Sequence, residues 1–506
     1  MEKRTVLAIA LSFLVIFFWS KFVYKPEQSQ MRSSGSVISS EPRQERITPV
    51  TAPLLASETE QVVTAYTIPG AVIEVSEPDA AIKQAVFDKY KKNKYILNNG
   101  LYLADPAVKF DQKISVNDGF SYFYEDTAKR ITKTLISTNS HYVMELEIKI
   151  TNLSSSSLQQ DIPIILGRFD LEKKNGADQR FDDIIVSDQS KISHPSFKKP
   201  ATFQDIKFIG MRDQYFCAII QPESTGYSGF VNKVSDKVFD IGIASDRISI
   251  QPGSEIIQRF KIYLGPQDID ALSKANPSWG AIVYFGMFDI VAQVILGLLK
   301  FLFTIVKNWG VAIILLSIAI YLILFPLSIK QMKSMKELQV LQPKMEQLRK
   351  QYGDNQKKLN EEMMKLYKEH KVNPLGGCLP MVLQIPIFIS LYQVLSRSIA
   401  LKGAKFLWIK DLSEPDRLFK LPFEIPFIGE YFNILPILMA IGMFIQQKMS
   451  SANATGQAAE QQKMMVIIFP IMFGVMFYNV PSGLVMYWFL NSTLMLLYQI
   501  KVMRSK

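Results

Sequence analysis

Cysteine and histidine are scarce in this 506-residue sequence, which contains two cysteines and three histidines. Cys217 and Cys378 fall in segments that the hydropathy pattern assigns to opposite sides of a membrane, so no disulfide framework can form between them. His141, His194 and His370 are far apart in the sequence. The sequence therefore gives no basis for a metal cluster or for histidine-based catalysis.

Charged residues are also few, at 20% of the chain against about 25% in typical soluble domains. Hydrophobic residues make up 48%, and the formal net charge is +11. This composition indicates that apolar and charged residues are segregated into separate blocks, as they are in membrane proteins. A positive charge is also expected of proteins that bind nucleic acid, because lysine and arginine neutralise phosphates.

The N-terminal segment, residues 1–24, contains an apolar run preceded by Lys3 and Arg4. At about 1.5 Å per residue, the run spans the roughly 30 Å hydrocarbon core of a bilayer. It is longer than a signal-peptide core, and no small-residue cleavage pattern follows it. We therefore expect an uncleaved signal anchor with a cytoplasmic N-terminus. Residues 25–60, rich in Ser, Gln, Glu and Pro, are predicted to be a disordered periplasmic tether.

Residues 61–280 show apolar and polar residues in alternation. The clearest case lies between positions 141 and 151, where four apolar residues alternate with polar ones, as in a half-buried strand. They are Met144, Leu146, Ile148 and Ile150. Further strand-like runs occur at 71–75, 247–251 and 256–264, the last two joined by a Pro-Gly turn. The segment is predicted to be an all-β sandwich, and behind a signal anchor it belongs in the periplasm.

The mostly apolar run at 281–328 has 48 residues, which is too long for one spanning helix. Its first part, 281–308, carries five polar residues at helical spacing, a pattern typical of an amphipathic helix lying in the membrane interface. These residues are Asp289, Gln293, Lys300, Thr304 and Lys307. The second part, 309–328, is uncharged and is predicted to be the second span. Two spans here would place the next loop outside, although that loop holds eleven Lys and Arg, so the positive-inside rule favours one interfacial helix and one span.

The basic loop at 329–373 is predicted to be a cytoplasmic helical hairpin. Gly353 separates two helices with one apolar stripe each, and Asp354 or Asn355 can cap the second. The stripes either pack on each other or on the membrane, or they form a Met-lined groove for a peptide.

Residues 374–500 contain four more uncharged spans, at 375–395, 433–445, 464–478 and 482–500, and residues 501–506 are a short basic tail. With the anchor, this predicts six spans and cytoplasmic N- and C-termini. The external loop at 397–432 holds six Lys and Arg and five acids, and it fits the charge rule least well. Almost all of the +11 nevertheless falls in the cytoplasmic segments, so the charge chiefly reflects topology.

The five spans after the anchor contain no Asp, Glu, Lys, Arg or His. Ion-coupled transporters use such groups to bind the ion or relay the proton, so their absence argues against that class. Walker, G-x-S-x-G and H-E-x-x-H motifs are missing too, which argues against an enzyme. The polar residues in the spans either hydrogen-bond between helices or line a hydrated groove. Two alternative classes remain: a small-molecule transporter or channel, and a scaffold for envelope assembly built on the β-domain.

Four segments closely resemble the YidC family of membrane protein insertases. They are NWGVAIILLSIAIYLILFPL (308–327), LQPKMEQLRKQYGDN (341–355), KVNPLGGCLPMVLQIPIFISLYQVL (371–395) and PSGLVMYWFLNSTL (481–494). GMRDQYFCAIIQP (210–222) and YLGP (263–266) are similar to the large periplasmic domain of Gram-negative members.

This resemblance implies a polytopic α-helical protein of the bacterial inner membrane, with six spans, a five-helix insertase core and a periplasmic all-β sandwich. It implies no enzymatic activity and no cofactor. The implied partners are nascent membrane proteins, the Sec translocon, the lipid bilayer and, through cytoplasmic loops, the ribosome; DNA is not among them.

In that family, five spans form a groove that is open to the cytoplasm and to lipid and closed toward the periplasm. Water in the groove and a thinned bilayer shorten the apolar distance that a polar substrate tail must cross. The resemblance implies a polar groove wall formed by Ser317, Tyr321, Gln384, Tyr487 and Asn491. It implies an apolar slide for the substrate's hydrophobic segment formed by Val382, Ile385, Phe388, Phe473, Met476 and Phe477.

The sequence departs from the family pattern at Tyr321, where bacterial members usually have an arginine. A buried guanidinium would attract acidic substrate tails, whereas a phenol offers only a hydrogen bond. Lys330 and Lys333, two to three helical turns toward the cytoplasm, are expected to compensate from the groove mouth. Because the C-terminal tail is short, ribosome contact is expected to rely on the hairpin and on the loop at 446–463.

Overall fold

The computed structural model describes residues 62–504 except 91–92, 106, 175–178, 189–190, 354, 371, 373–378, 426–428 and 451–455. The predicted signal anchor and tether lie outside the described residues. The chain divides into two compact units, Met1–Val283 and Tyr284–Lys506. We call the described part of the first unit the β-domain and that of the second the helical unit.

The β-domain is built from antiparallel strands followed by one short helix, α1 (Ile269–Ala275). Its first strands are β1 (Val63–Ile68), β2 (Ala71–Ser76), β3 (Ala81–Phe87), β4 (Asn93–Gly100), β5 (Tyr102–Leu103), β6 (Gln112–Val116), β7 (Gly119–Glu125), β8 (Lys129–Ser137), β9 (Val143–Asn152) and β10 (Leu158–Gln160). The others are β11 (Pro163–Asp170), β12 (Asp183–Ser187), β13 (Ile192–Ser193), β14 (Ala201–Phe203), β15 (Phe208–Arg212), β16 (Phe216–Pro222), β17 (Tyr227–Ser235), β18 (Val238–Ser245), β19 (Ile248–Ile250) and β20 (Glu255–Pro266).

Two large sheets dominate this domain. One has nine strands in the order β13-β12-β15-β16-β20-β9-β8-β7-β6, and the other has five in the order β14-β17-β18-β11-β5. Strand β11 of the second sheet packs against β15 and β16 of the first. Ile164 and Ile165 on β11 and Ile219 and Ile220 on β16 are at most 1% exposed. Because adjacent side chains of a strand point to opposite faces, both faces of these two strands are buried. Strands β1 to β4 form a separate four-stranded sheet.

The alternation between positions 141 and 151 is confirmed as strand β9, whose four predicted apolar residues are all at most 1% exposed. The Pro-Gly turn after position 251 behaves differently from a hairpin turn. Strand β19, before the turn, pairs with β10, whereas β20, after it, pairs with β9 and β16. The turn therefore joins two different sheets, which a local pattern of residues could not indicate.

The β-domain also buries charged side chains. Lys133 is fully buried, and its Nζ donates to the carbonyl oxygens of Ala80 at 2.7 Å and Leu101 at 2.5 Å. Arg212, 3% exposed, donates through Nη2 to Asp183 Oδ2 at 2.6 Å and through Nη1 to the Ile282 carbonyl at 3.1 Å. Each buried cation thus ties together segments that are distant in the sequence.

The helical unit consists of helices and one small β-hairpin. The hairpin strands are β21 (Phe419–Ile425) and β22 (Gly429–Phe432). The helices are α2 (Asp289–Val306), α3 (Trp309–Tyr352), α4 (Gln356–Glu369), α5 (Leu379–Arg397), α6 (Ile434–Ser450), α7 (Gly456–Met476) and α8 (Ser482–Arg504). Helix α3 contacts α2, α4, α5 and α8, and α8 also contacts α5 and α6.

Among the described residues, three helical segments are long and apolar enough to cross a membrane: Asp289–Val306, Trp309–Lys330 and Ser482–Lys501. Helices α6 and α7 contribute the shorter apolar segments Ile434–Met449 and Val466–Met476. Length and composition alone therefore allow α2 to span, so its predicted place in the interface depends on how its residues are distributed around the helix.

Helix α2 has three distinct faces. Ala292, Ile295, Leu296 and Leu299 are at most 8% exposed and form the stripe that packs inward. Ile290, Val294, Phe301 and Ile305 are 58–82% exposed and form an apolar face without protein contact. The predicted polar residues lie between these two, and Gln293 Nε2 donates to Asp289 Oδ2 at 2.6 Å. An apolar outer face bordered on one side by a polar stripe is typical of a helix lying in the interface.

Helix α3 continues without a break from the predicted second span into the predicted hairpin. It ends at Tyr352, and Asn355 caps α4 by accepting from the Lys358 backbone N–H at 3.1 Å. Leu341 on α3 and Leu359 and Leu366 on α4 are 3–9% exposed, so the two apolar stripes pack on each other. Of the two interpretations of the stripes, the structure supports mutual packing.

Candidate functional site

Three polar residues from two helices meet inside the helical unit. Gln384 on α5 donates through Nε2 to the hydroxyl of Tyr487 on α8 at 2.8 Å. Asn491 lies one turn further along α8 and interacts with the Tyr487 side chain. Tyr487 is 0% exposed, whereas Gln384 and Asn491 are half-buried. We call these three neutral residues the polar triad.

The other two predicted polar wall residues, both on α3, form their hydrogen bonds outside the triad. Ser317 is fully buried and donates to the Ile313 carbonyl of its own helix at 2.7 Å. This local bond satisfies the hydroxyl without an interhelical partner. Tyr321 points its hydroxyl at the Leu494 carbonyl of α8, 3.5 Å away, and its ring centroid lies 5.7 Å from that of Phe325. The structure thus joins three of the five predicted wall residues.

The predicted groove-mouth lysines lie on the same continuous helix as Tyr321. Lys330 and Lys333 are both exposed. At 1.5 Å per residue, Lys330 lies about 14 Å along α3 from Tyr321.

Four aromatic rings from three segments form a cluster beside the triad. The Phe388 ring on α5 lies 5.5 Å from Phe477 and 5.5 Å from Trp488, and Phe473 lies 5.8 Å from Phe477 and 5.6 Å from Trp488. Trp488 was not among the predicted residues. It immediately follows Tyr487 in the PSGLVMYWFL segment, so its place in that segment was the feature that could have identified it.

The predicted slide residues differ in their accessibility. Ile385 is 48% exposed and Met476 is 53% exposed, so both present side chains at the surface of the helical unit. Phe477 is 1% exposed, and in this structure it belongs to the interior of the aromatic cluster. The side chain of Val382 lies outside the described residues.

The segment between α5 and α6, residues 398–433, closes one end of the helical unit; we call it the α5–α6 loop. The carbonyl oxygens of Leu412 and Glu414 accept from the backbone N–H groups of Gly483 and Ser482, the first residues of α8, at 3.0 and 2.8 Å. Asp416 Oδ2 accepts from the Leu435 N–H at the start of α6 at 2.9 Å. The loop therefore satisfies backbone donors at two helix N-termini and covers that end of the bundle.

The same loop reaches the start of α3. A Cβ built on Gly310 would lie 2.1 Å from the Phe406 ring, so only glycine allows this close approach. Behind the ring, Ile409 is 2% and Leu412 0% exposed. The loop was not predicted from the sequence to be a site element, because its many charges gave it the appearance of an ordinary hydrophilic connection.

In the part of the chain that the structure describes, no group of three or more His, Cys, Asp or Glu side chains could hold a metal ion. Cys217 is fully buried in the β-domain, and this burial raises the pKa of its thiol well above the ordinary value. A thiol of this kind is unreactive because the thiolate is the nucleophile.

A β-sheet-rich domain joined to a helical unit with several long apolar segments defines a membrane protein with a large extramembrane domain. A family model described as "60Kd inner membrane protein" matches residues 301–506, and a model described as "YidC periplasmic domain" matches residues 121–298. The membrane protein insertase YidC of Pelobacter propionicus is 32% identical over 98% of this chain and 97% of its own length. That of Syntrophobacter fumaroxidans is 34% identical over 74% of this chain and 68% of its own length. The chain belongs to the YidC family.

The solved structures that this chain resembles have lower sequence identity to it than these relatives. One, described as an active YidC insertase with its first transmembrane domain resolved, aligns with 98% of this chain and 99% of its own, at 18% identity and a TM-score of 0.40. YidC from Thermotoga maritima aligns with 86% of this chain and 99% of its own, at 13% identity and a TM-score of 0.32. Family membership rests on the sequence relatives.

Proposed function

We propose that this protein inserts and folds membrane proteins in the bacterial inner membrane, alone or beside the Sec translocon, without catalysing a chemical reaction. The observation that carries the proposal is the neutral polar triad, which lies between α5 and α8, where residues 384–395 and 482–500 contain no Asp, Glu, Lys, Arg or His. Such a wall hydrates a passing polar segment without binding it as an ion. The family's curated members named above are membrane protein insertases.

The proposed topology has six spans, including the signal anchor, with both termini in the cytoplasm and the β-domain in the periplasm. Helix α2 lies in the interface, because its exposed apolar face borders a polar stripe containing Asp289, Gln293 and Lys300. Helix α3 crosses the membrane and extends into the cytoplasm, where α4 packs on it and offers a basic surface to the ribosome. The α5–α6 loop then closes the periplasmic end of the groove.

In the proposed mechanism, the polar tail of a nascent protein enters beside the triad from the cytoplasm. Its hydrophobic segment leaves along Ile385 and Met476, which are the exposed members of the slide. Each backbone group that stays hydrated on the way avoids a desolvation cost of several kcal/mol. The aromatic cluster behind the slide gives α5, α7 and α8 a common rigid support.

Site-directed photocrosslinking tests this proposal. A photoreactive residue at position 385 or 476 should crosslink to a ribosome-bound nascent membrane protein. The same residue at Ile290 on α2, which is 82% exposed and apolar but away from the slide, provides the matched control. Equal yields from all three positions, or none from 385 and 476, would contradict the slide assignment.

A depletion experiment separates the insertase from a transporter or channel. Loss of an insertase should strand small membrane proteins in the cytoplasm while solute uptake is initially unchanged. Loss of a transporter should change uptake first and leave insertion intact. A scaffold based on the β-domain predicts instead that residues 25–280 alone restore growth.

A further inference from the structure

The α5–α6 loop exposes large apolar side chains within a short stretch. Leu407 is 74%, Phe419 51% and Phe423 63% exposed, and Trp408 is 39% exposed. Exposed apolar patches of this kind mark a contact with a protein or a membrane. The sealing role described above uses only the buried residues of the loop and leaves these four unexplained.

The most unusual part is a two-residue turn formed by Leu407 and Trp408. The residues on either side, Phe406 and Ile409, exchange two backbone hydrogen bonds of 3.0 and 2.8 Å, which fixes a tight turn. Leu407 has a φ of 51°, in the left-handed region that favours Gly, Asn or Asp. A leucine at this position strains the backbone and exposes an apolar side chain to water. We therefore expect this side chain to contact a partner other than the rest of the chain.

The turn is held rigidly at the ends of two apolar helices. Phe406 packs on Gly310 at the start of α3, and Leu412 accepts from Gly483 at the start of α8. Both helices contain segments long and apolar enough to cross a membrane. The turn therefore lies near the depth at which these helices leave the hydrocarbon core, where Trp and Tyr are enriched.

The charged residues beside the turn also indicate a position at the membrane–water interface. Lys405 and Lys410 flank it, are both exposed, and form no ion pair with another described residue. The loop contains no acidic residue before Asp411. The indole Nε1 of Trp408 donates to Asp416 at 3.4 Å, so the polar atom is satisfied inside the protein and the exposed part of the ring is apolar. In a bilayer, the two apolar side chains can contact the acyl chains while the flanking lysines reach the lipid phosphates.

We propose that the Leu407–Trp408 turn inserts into the headgroup region of the phospholipid bilayer, with Lys405 and Lys410 at the phosphates, and anchors the sealed end of the helical unit in that leaflet. This also accounts for the poor fit of the loop to the positive-inside rule, since its lysines serve lipid contact. Only the assignment to the periplasmic leaflet rests on the proposed function and its topology.

Tryptophan quenching by brominated lipid tests the proposal on the full-length protein in liposomes. The fluorescence of Trp408 is obtained by subtracting the emission of the Trp408→Phe variant from that of the wild type. We expect lipid brominated near the headgroup to remove about half of this fluorescence, and lipid brominated deep in the chain to remove less. Trp279, which is 1% exposed in the β-domain, supplies an internal reference through Trp279→Phe. If brominated lipid does not quench the Trp408 fluorescence, the proposal is wrong, and the turn contacts water or a protein partner instead.

Two further variants separate lipid anchoring from a structural role. Leu407→Asn relaxes the left-handed backbone, so a purely structural turn should keep or gain thermal stability in detergent and keep Trp408 in place. Anchoring predicts instead that quenching of Trp408 by headgroup-brominated lipid falls in this variant. Unchanged quenching would count against the proposal.

The second variant, the double substitution Lys405→Gln with Lys410→Gln, tests the phosphate contact. Phosphatidylglycerol added to the liposomes should increase quenching of Trp408 in the wild type but not in this variant, and an equal response of both proteins would overturn the role of the lysines. Brominated lipid is present in both leaflets and no substrate is needed. A failed crosslinking experiment would therefore contradict the proposed insertase slide, whereas a failed quenching experiment would contradict only the lipid contact of the turn.

Discussion

The β-domain and the helical unit bury polar groups of different kinds. In the β-domain the interior includes Lys133, Arg212 and Asp240, at 0%, 3% and 0% exposure. In the described helices the buried polar residues are neutral, as with Ser317 at 0% and Ser492 at 7%. The acid Asp416, 3% exposed, belongs to the α5–α6 loop and caps a helix from outside.

This difference follows from what surrounds each unit. A buried charge is tolerated in the β-domain because a fixed partner offsets its desolvation, as Arg168 does for Asp240 with bonds of 2.6 and 2.8 Å. Within a bilayer, the same charge would be more costly and would hold any oppositely charged segment that passed. A neutral interior therefore suits a unit whose proposed substrates must leave as readily as they enter.

The largest expected effect comes from breaking a buried ion pair in the β-domain with Arg212→Met. Burial opposes ionisation of Asp183, but Arg212 and His194 together hold the pKa of this carboxyl below its ordinary value. Without the guanidinium, Asp183 is left without its main counter-charge, and we expect the free energy of unfolding to fall by about 3–5 kcal/mol. Urea denaturation of the full chain in detergent, followed by the fluorescence of buried Trp279, measures this loss.

The matched control for that prediction is Arg130→Met. Arg130 forms an exposed ion pair with Glu125, at 49% and 54% side-chain exposure, and such pairs contribute little to stability because solvent screens them. If both variants lose the same stability, the contrast between buried and exposed charge in this domain is wrong.

A pH dependence tests the burial of Lys133. Burial lowers the pKa of the Lys133 ammonium to about 7, although Asp79 opposes this shift. Between pH 7 and about 10.4 the unfolded chain holds a proton on Lys133 that the folded chain has lost, so stability rises with pH. From pH 7.5 to 9.5 we expect a gain of about 2 kcal/mol in the free energy of unfolding.

The variant Lys133→Met removes the titrating group and should abolish most of this gain. It also leaves the carbonyls of Ala80 and Leu101 without their donor, so its stability should be lower overall at high pH. The informative quantity is the slope of stability against pH, measured by urea denaturation. Equal slopes in the two proteins would show that Lys133 titrates at an ordinary pH.

In the helical unit, the strongest single interaction that we can test is the bond between Gln384 and Tyr487. Interhelical hydrogen bonds in membrane proteins contribute about 0.6 kcal/mol on average and up to about 1.7. A double-mutant cycle of Gln384→Leu and Tyr487→Phe should give a coupling energy of about 1 kcal/mol in thermal or steric-trap unfolding. Ser317→Ala, whose hydroxyl bonds only within its own helix, is the control and should show no coupling to Tyr487.

Local patterns explain which parts of this molecule could be predicted. Strand β9 follows from alternation, and the Asn355 cap follows from residue type at a helix start. Gln384 and Tyr487 could each be identified as polar residues in apolar spans, but their bond joins residues 103 positions apart. No local pattern gives such a pairing.

Other features depend on tertiary context even more strongly. Lys133 shares the buried face of β8 with Ile131 and Leu135, and a lysine can be buried there only because two carbonyls distant in the sequence accept from it. Trp488 joins a cluster with Phe388 and Phe473 only after three segments have packed. The sealing function of the α5–α6 loop depends on backbone donors at helix starts, which carry no side-chain identity.

The smallest expected effect concerns a charge placed in the neutral interior by Tyr321→Arg. The Tyr321 hydroxyl lies 3.5 Å from the Leu494 carbonyl and has no charged partner among the described residues, so a guanidinium there would be free to attract an acidic segment. We expect insertion of substrates with strongly acidic translocated tails to rise roughly threefold, or about 0.6 kcal/mol, and insertion of neutral tails to stay unchanged. Tyr321→Phe, which removes the hydroxyl without adding charge, is the control. Unchanged insertion of acidic tails in Tyr321→Arg would show that a charge at this position of α3 has no effect on capture, and that the lysines at the groove mouth suffice.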